Sequence, residues 1–259
     1  MRAPLRVLVP LAALAAMLAL AGCQSKPAAD LGGSDPKAVA IADQVMDALG
    51  GKAKWDALAG LRWTFGSQVG DTVKSSRRHA WNKLTGQHRV DGVNRMGQTF
   101  TFIHTIGDTS TGMAWVNGNA IEGDSLHKLI KRAEALWIND TYWFLMPYKL
   151  RDPGVTLAMA GDTTMNGATY DKLALSFASV GMTPGDHYWA FVDRADHRVK
   201  YWEMVLEGDT PPAVGYTWGG WEEHDGLWFP TEHRRDATNI FTNNVETVSS
   251  FAPGEFEKP

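Results

Sequence analysis

From residue 61 onward the chain alternates apolar and polar side chains with a period of two. Leu61, Trp63 and Phe65 alternate with Arg62, Thr64 and Gly66. Phe100, Phe102, His104 and Ile106 alternate with Thr99, Thr101 and Thr105, and Leu173, Leu175 and Phe177 with Lys172, Ala174 and Ser176. Successive side chains of a strand point to opposite faces, so these runs read as half-buried strands. Turn signals separate the runs: Thr85-Gly86, Asn117-Gly118, Asn166-Gly167 and Asp225-Gly226. Such pairs supply the positive φ angles that tight hairpins need. About ten to twelve such runs follow one another. A meander of that length curls into a barrel or splits into a sandwich.

Two regions have helical period instead. Ser34-Asp35-Pro36 supplies a cap and a first-turn proline, Gly50-Gly51 closes the stretch, and Val39, Ala42, Val45, Met46 and Leu49 recur between them. A short helical turn is expected around Trp55 to Leu58. After Gly123, Asp124 is placed to cap a helix whose stripe is Leu126, Leu129, Ile130, Ala133, Leu136 and Trp137. His127, Lys128, Lys131 and Arg132 face the other way. Asn139-Asp140 is expected to break or re-cap this helix, and Pro147 and Pro153 to end any helix beyond it. The fold class is therefore α+β, with helices laid over one sheet.

The N-terminus bears on location. Arg2 and Arg6 precede the apolar run 7–20, and Leu20-Ala21-Gly22-Cys23 follows. This is a secretory signal, too short for a membrane span. It resembles the lipobox of bacterial lipoproteins, which implies lipidation of Cys23. The plainer alternative is an ordinary signal that ends near a cysteine. Residues 1–22 are then the signal peptide, 23–35 a small, polar tether, and 36–259 a single domain. By the same resemblance, Gln24 after the cysteine points to the outer membrane. Cys23 is the chain's only cysteine, so disulfides, a thiol nucleophile and thiolate metal sites are excluded from the mature protein. The formal charge of −4 becomes more negative when Arg2 and Arg6 are removed, which argues against nucleic acid as a partner.

Catalytic signatures are sparse. No G-x-S-x-G, P-loop, H-E-x-x-H or G-x-G-x-x-G occurs. The best polar cluster is Glu222-Glu223-His224-Asp225-Gly226, with His233 beyond. A two-residue turn at Asp225-Gly226 sets His224 opposite Leu227 and His233 opposite Trp218. That leaves the histidines roughly 10 Å or more apart, too far to share one metal. His104 shares the apolar face of its run, where a hydrogen-bonded core histidine is the ordinary reading. The remaining histidines have no acid at a fixed spacing. No catalytic residue, metal or cofactor is expected.

Eleven tryptophans call for an account. Leu, Ile and Val tile a packed core more readily, whereas Trp carries an N–H that wants a partner and suits a roomy cavity or an interface. A large aromatic-rich core is the alternative. The stretch "DTYWFLMPYKLRDPGV" at residues 140–155 joins the central helix to the next strand and is too short and too charged at its end to span a bilayer.

The order of lipobox, N-terminal helix, long meander and mid-chain helix resembles the bacterial lipoprotein carriers of the LolA/LolB type. "WNKLTGQHRVDG" looks like their strand–turn–strand, and "WAFVDRADHRVKYWEMVLE" like their hairpin. The 140–155 stretch is similar to a segment of other lipoproteins of that superfamily. The resemblance implies an incomplete antiparallel barrel of about eleven strands, with helices covering its open side and an apolar cavity for acyl chains. No counterpart is found of the exposed apolar loop of LolB-type acceptors, nor of the latch arginine of LolA-type carriers, so lipoprotein delivery itself does not follow. The expected cavity residues are Trp63, Phe65, Phe100, Phe102, Trp115, Leu129, Trp137, Trp143, Phe144 and Met146, with Lys149 and Arg151 at the rim. The expected function is non-enzymatic binding of a lipid or other hydrophobic ligand by a lipid-anchored envelope protein. Two alternatives remain: a packed module that binds an envelope protein, and a hydrolase or metal-dependent enzyme using Glu222, His224, His233 or His104.

Overall fold

The computed structural model describes residues 33–177 and 185–259. The signal segment, Cys23 and most of the tether lie outside the described residues. Helix α1 (Pro36–Ala48) starts where the Asp35 carboxylate accepts from the Lys37 N–H, at 2.8 Å, with Pro36 in the first turn. Its buried face is Ala38, Ile41, Ala42 and Val45, one position round the helix from the expected stripe. The short α2 (Lys52–Ala57) follows.

Six strands come next: β1 (Gly60–Val69), β2 (Thr72–Asn82), β3 (Gln87–Val93), β4 (Thr99–Thr105), β5 (Asp108–Val116) and the short β6 (Asn119–Ala120). After α3 (Gly123–Leu145) and a single 3₁₀ turn, Met146–Lys149, come β7 (Val155–Met165), β8 (Ala168–Phe177), β9 (His187–Asp193), β10 (Val199–Val205) and β11 (Val214–Thr217). The chain finishes with β12 (Glu222–His224), β13 (Leu227–Phe229), β14 (Glu232–Arg235) and β15 (Thr238–Val248). Ten of these strands have seven residues or more, which are the runs that period-two reading detects; the others are too short to alternate. Asn117-Gly118, Asn166-Gly167 and Asp225-Gly226 have positive φ at both residues, as a type I′ hairpin requires.

The strands form an eight-stranded sheet, β14-β15-β1-β2-β3-β4-β5-β6, and a five-stranded sheet, β11-β10-β9-β8-β7. One edge joins them, through the bridge Gly219↔Glu232 and the hydrogen bond from the Arg234 N–H to Thr217 Oγ1 at 3.0 Å. The other edge, between β6 and β7, stays open, and α3 is the connection that fills it. The architecture is thus α+β: an incomplete antiparallel barrel with helices at its opening.

Helix α3 does not break at Asn139-Asp140. The Asp140 carboxylate is fully buried and finds its partners on the sheet, so it has no need to compete for the helix backbone. Nor is Asp124 the cap: Glu122 holds that position, and Asp124 lies in the first turn, where its charge suits the helix dipole. The helix comes very close to the sheet at Gly112 (φ +151°), where a Cβ would lie 2.6 Å from Ile130 Cδ1 and 2.7 Å from the Ile103 carbonyl.

Three apolar clusters result. The largest joins α1, the end of α3 and the five-stranded sheet. A second lies under the first half of α3, around Val90, Phe100 and Phe102. The third is on the opposite face of the eight-stranded sheet, where Phe251 and Phe256 of the C-terminal segment cover Ala80, Ile103 and Trp115.

Candidate functional site

Strand register sets a polar row across the concave face of the larger sheet. Trp63 pairs with His79, Trp81 with His88, and His88 with His104. Helix α3 lays Glu134, Trp137, Asp140 and Phe144 over this row, one turn apart. His104 Nε2 lies 2.9 Å from Glu134 Oε2. Trp137 stands 4.9 Å from the His88 ring. Asp140 accepts from Arg77 Nε and Nη2 at 2.8 and 2.9 Å and sits 3.1 Å from His79 Nε2. His79 Nδ1 in turn lies 3.0 Å from His88 Nε2, and Trp63 stacks on His79 at 4.7 Å.

The electrostatics follow from burial. Burial alone would raise the Asp140 carboxyl, but the hydrogen bonds and charges of His79 and Arg77 outweigh it and hold the group below its ordinary range. His88 is pushed well below the usual imidazole value, first by burial and then by His79 and His104, so it is neutral. The three histidine side chains are buried. The row fastens α3 to the sheet. Sequence spacing could not reveal it, because each acid lies on a helix and each base on a separate strand.

The other side of α3 faces open space. Ala135, Ile138, Asn139, Tyr142 and Trp143 recur at i, i+3, i+4, i+7 and i+8, and line a cavity of about 710 Å³. The facing wall comes from the five-stranded sheet: Val155, Phe177, Tyr188, Trp202, Met204, Val214 and Tyr216. The rings meet mostly edge to face, with Trp143 at 4.7 Å from Trp202 and 5.0 Å from Tyr216, and Tyr142 at 5.3 Å from Tyr188. The charged groups on the lining are Lys149, Asp152, Asp186 and Asp209. Lys149 and Asp152 form an ion pair. The Tyr142 hydroxyl is buried with no hydrogen-bond partner among the described residues. Burial first, then the charges of Tyr188, Asp152 and Asp186, push its ionisation well above the ordinary phenol range, so it keeps its proton. A smaller recess of about 230 Å³ shares the walls Trp137, Thr141, Lys149 and Asp152.

Of the expected cavity residues, Trp137 and Trp143 line this space. Phe144 and Met146 are 0% and 1% exposed and belong to the main core, as do Trp63 and Phe65. Four residues after Asp140, Phe144 shares the sheet-facing side of α3, whereas Trp143 shares the side of Asn139. Phe100, Phe102 and Leu129 pack in the second cluster. Trp115 pairs with Thr101 and so faces away from α3. Lys149 lines the cavity, while Arg151 reaches to Asp43 of α1. The facing wall, with Tyr188, Trp202 and Tyr216, was missed, although the alternation in "HYWAFV" and "KYWEMV" holds its signal.

The remaining candidates stand elsewhere. His224 pairs with Leu227, and its Nε2 lies 3.5 Å from Glu222 Oε2. His233 is buried against Trp218 at 4.3 Å and Trp143 at 5.6 Å, and burial pushes it down to about 3. The two do not converge. Among the described residues no three His, Cys, Asp or Glu side chains are grouped to hold a metal, and no helix is long and apolar enough to cross a membrane.

No family model and no curated protein matches the chain. Solved structures do. A DUF1329 family protein from Desulfovibrio piger aligns at a TM-score of 0.50 with 14% identity, covering 86% of this chain and 98% of that one. The LolA superfamily protein NE2245 from Nitrosomonas europaea gives 0.49 with 9% identity over 85% and 97%. The Mycobacterium tuberculosis lipoprotein LppX gives 0.35 with 12% identity over 85% and 100%. The likeness to the Desulfovibrio piger protein is one of fold.

Proposed function

We propose that this chain is a lipid-anchored envelope protein that binds a lipid or another long apolar molecule between α3 and the five-stranded sheet, without chemistry on it. The observation that carries this is the aromatic cavity of about 710 Å³. It falls within the range of small-molecule sites, roughly 300–1,000 Å³, and has their character: apolar walls with few polar groups. Burying a tail there is favourable at about 25 cal/mol per Å² of apolar surface. The reading of residues 1–23 as a lipoprotein signal supplies the location, on the periplasmic side of the outer membrane through Cys23.

Lipid extraction and mass spectrometry of the purified mature chain provide the test. A co-purifying lipid is expected, together with binding of a fluorescent fatty acid or amine of similar length. Val214→Trp, which fills the cavity from the sheet side, abolishes both. A protein that is consistently empty and ignores both probes overturns the proposal.

A further inference from the structure

The smaller recess beside the cavity has a composition of its own. Three indole rings, Trp55, Trp81 and Trp137, line it, with Trp81 at 6.2 Å from Trp55 and 5.1 Å from Trp137, both tilted. Its charged groups are Lys83, Lys149 and Asp152. Lys149 and Asp152 pair with each other and both stay partly exposed. The Lys83 ammonium lies 5.5 Å from the Trp55 ring and donates to the Asp56 carbonyl at 3.3 Å. Trp137, Thr141, Lys149 and Asp152 line the large cavity as well, so the two spaces meet at the ion pair. They are unequal, at about 710 and 230 Å³. A tail that fills the larger leaves room in the smaller for a compact group, not for a second tail of the same length.

We propose that the ligand has one alkyl tail, held in the large cavity, and a compact, uncharged polyol headgroup, held in the tryptophan recess. This rests on the reading of the cavity as a lipid site and adds a headgroup subsite to it. The recess offers donors and an acceptor side by side. An anionic headgroup there meets Asp152, and a cationic one meets Lys83 and Lys149, so either ion faces a charge of its own sign. A hydroxyl both donates and accepts. A polyol therefore accepts from the two ammonium groups and donates to the carboxylate without breaking their pairing. Its C–H groups lie against the indoles, in the usual combination of apolar walls with a few placed polar groups.

The experiment compares four amphiphiles of one chain length on the delipidated mature protein at pH 7, below their micelle concentrations: decyl glucoside, monodecanoylglycerol, decylamine and decanoate. At least one of the two polyols is expected to bind about tenfold or more tightly than either ion. The tighter of the two assigns the headgroup to a sugar or to glycerol. Trp81→Ala removes a wall of the recess and brings the preference below about threefold, while the ions bind as before. Should Trp81→Ala unfold, Trp55→Ala on α2 carries the same test. A preference that survives the loss of the indole overturns the recess as the headgroup's seat. Equal binding of the four, or tighter binding of either ion, overturns the polyol and leaves the cavity reading standing. Binding of none of them overturns both.

Discussion

His233 gives a quantitative prediction about acid. Its side chain is fully enclosed between Trp218 and Trp143, with neither ring nitrogen in hydrogen-bond geometry and only the nearby Thr217 carbonyl to favour the cation. Burial pushes it down to about 3, against about 6.5 in an unfolded chain. Between those values the unfolded chain binds a proton that the folded one refuses. Stability is then complete above pH 6.5 and falls by about 1.4 kcal/mol for each unit of acidification. At pH 5 the loss from this one group is about 2 kcal/mol, which at 2–4 °C per kcal/mol lowers Tm by roughly 4–8 °C. The pH 5 to 7 window stays above most carboxylate titration. Thermal unfolding of wild type and His233→Leu across it isolates the effect. The variant should lose about 2 kcal/mol less than wild type on going from pH 7 to pH 5. Parallel curves would refute the argument.

Other perturbations act on the fastening of α3. Asp140→Ala strips Arg77 and His79 of their buried partner and should cost about 3–5 kcal/mol in urea unfolding at pH 7. Because the Asp140 carboxyl is held below its ordinary value, its stabilisation is present above about pH 3.9 and lost as pH falls through the folded value, so the variant lacks that part of the acid limb. Gly112→Val has no room beside Ile130 and the Ile103 carbonyl; a loss above about 2 kcal/mol in the same assay is expected. The Tyr148 hydroxyl reaches both the Leu49 and Trp228 carbonyls, at 3.0 and 2.9 Å. Tyr148→Phe should cost about 1–2 kcal/mol by thermal melting.

Local patterns were legible in the sequence because they are set within a few residues. The asparagine–glycine and aspartate–glycine turns, the register of His224 with Leu227 and the cap of α1 all rest on neighbours in the chain. Asp140 shows the limit: next to Asn139 it reads as a helix breaker, and it takes Arg77, 63 residues earlier, together with His79, to make it a helix-interior residue. His104 likewise has its acid 30 residues away on α3. For the cavity, the sequence told that Trp143 and Phe144 were apolar but not that a step of one residue turns Trp143 to the cavity and Phe144 to the core. Trp137 and Trp143 were named from enrichment, whereas Tyr188, Trp202 and Tyr216 needed the second sheet to be folded against the helix.

The two-sided character of α3 has a thermodynamic consequence. One side packs on buried His88, which burial keeps neutral, and the other forms a wall of the cavity. Protons favour the unfolded chain and a cavity ligand favours the folded one, so the two compete through the same helix. A ligand at a hundred times its Kd adds about 2.7 kcal/mol to the folded state. With His88 and His233 both neutral in the fold, that offsets about one pH unit of acidification. The acid midpoint therefore serves as a gauge of cavity occupancy, readable before the ligand is identified.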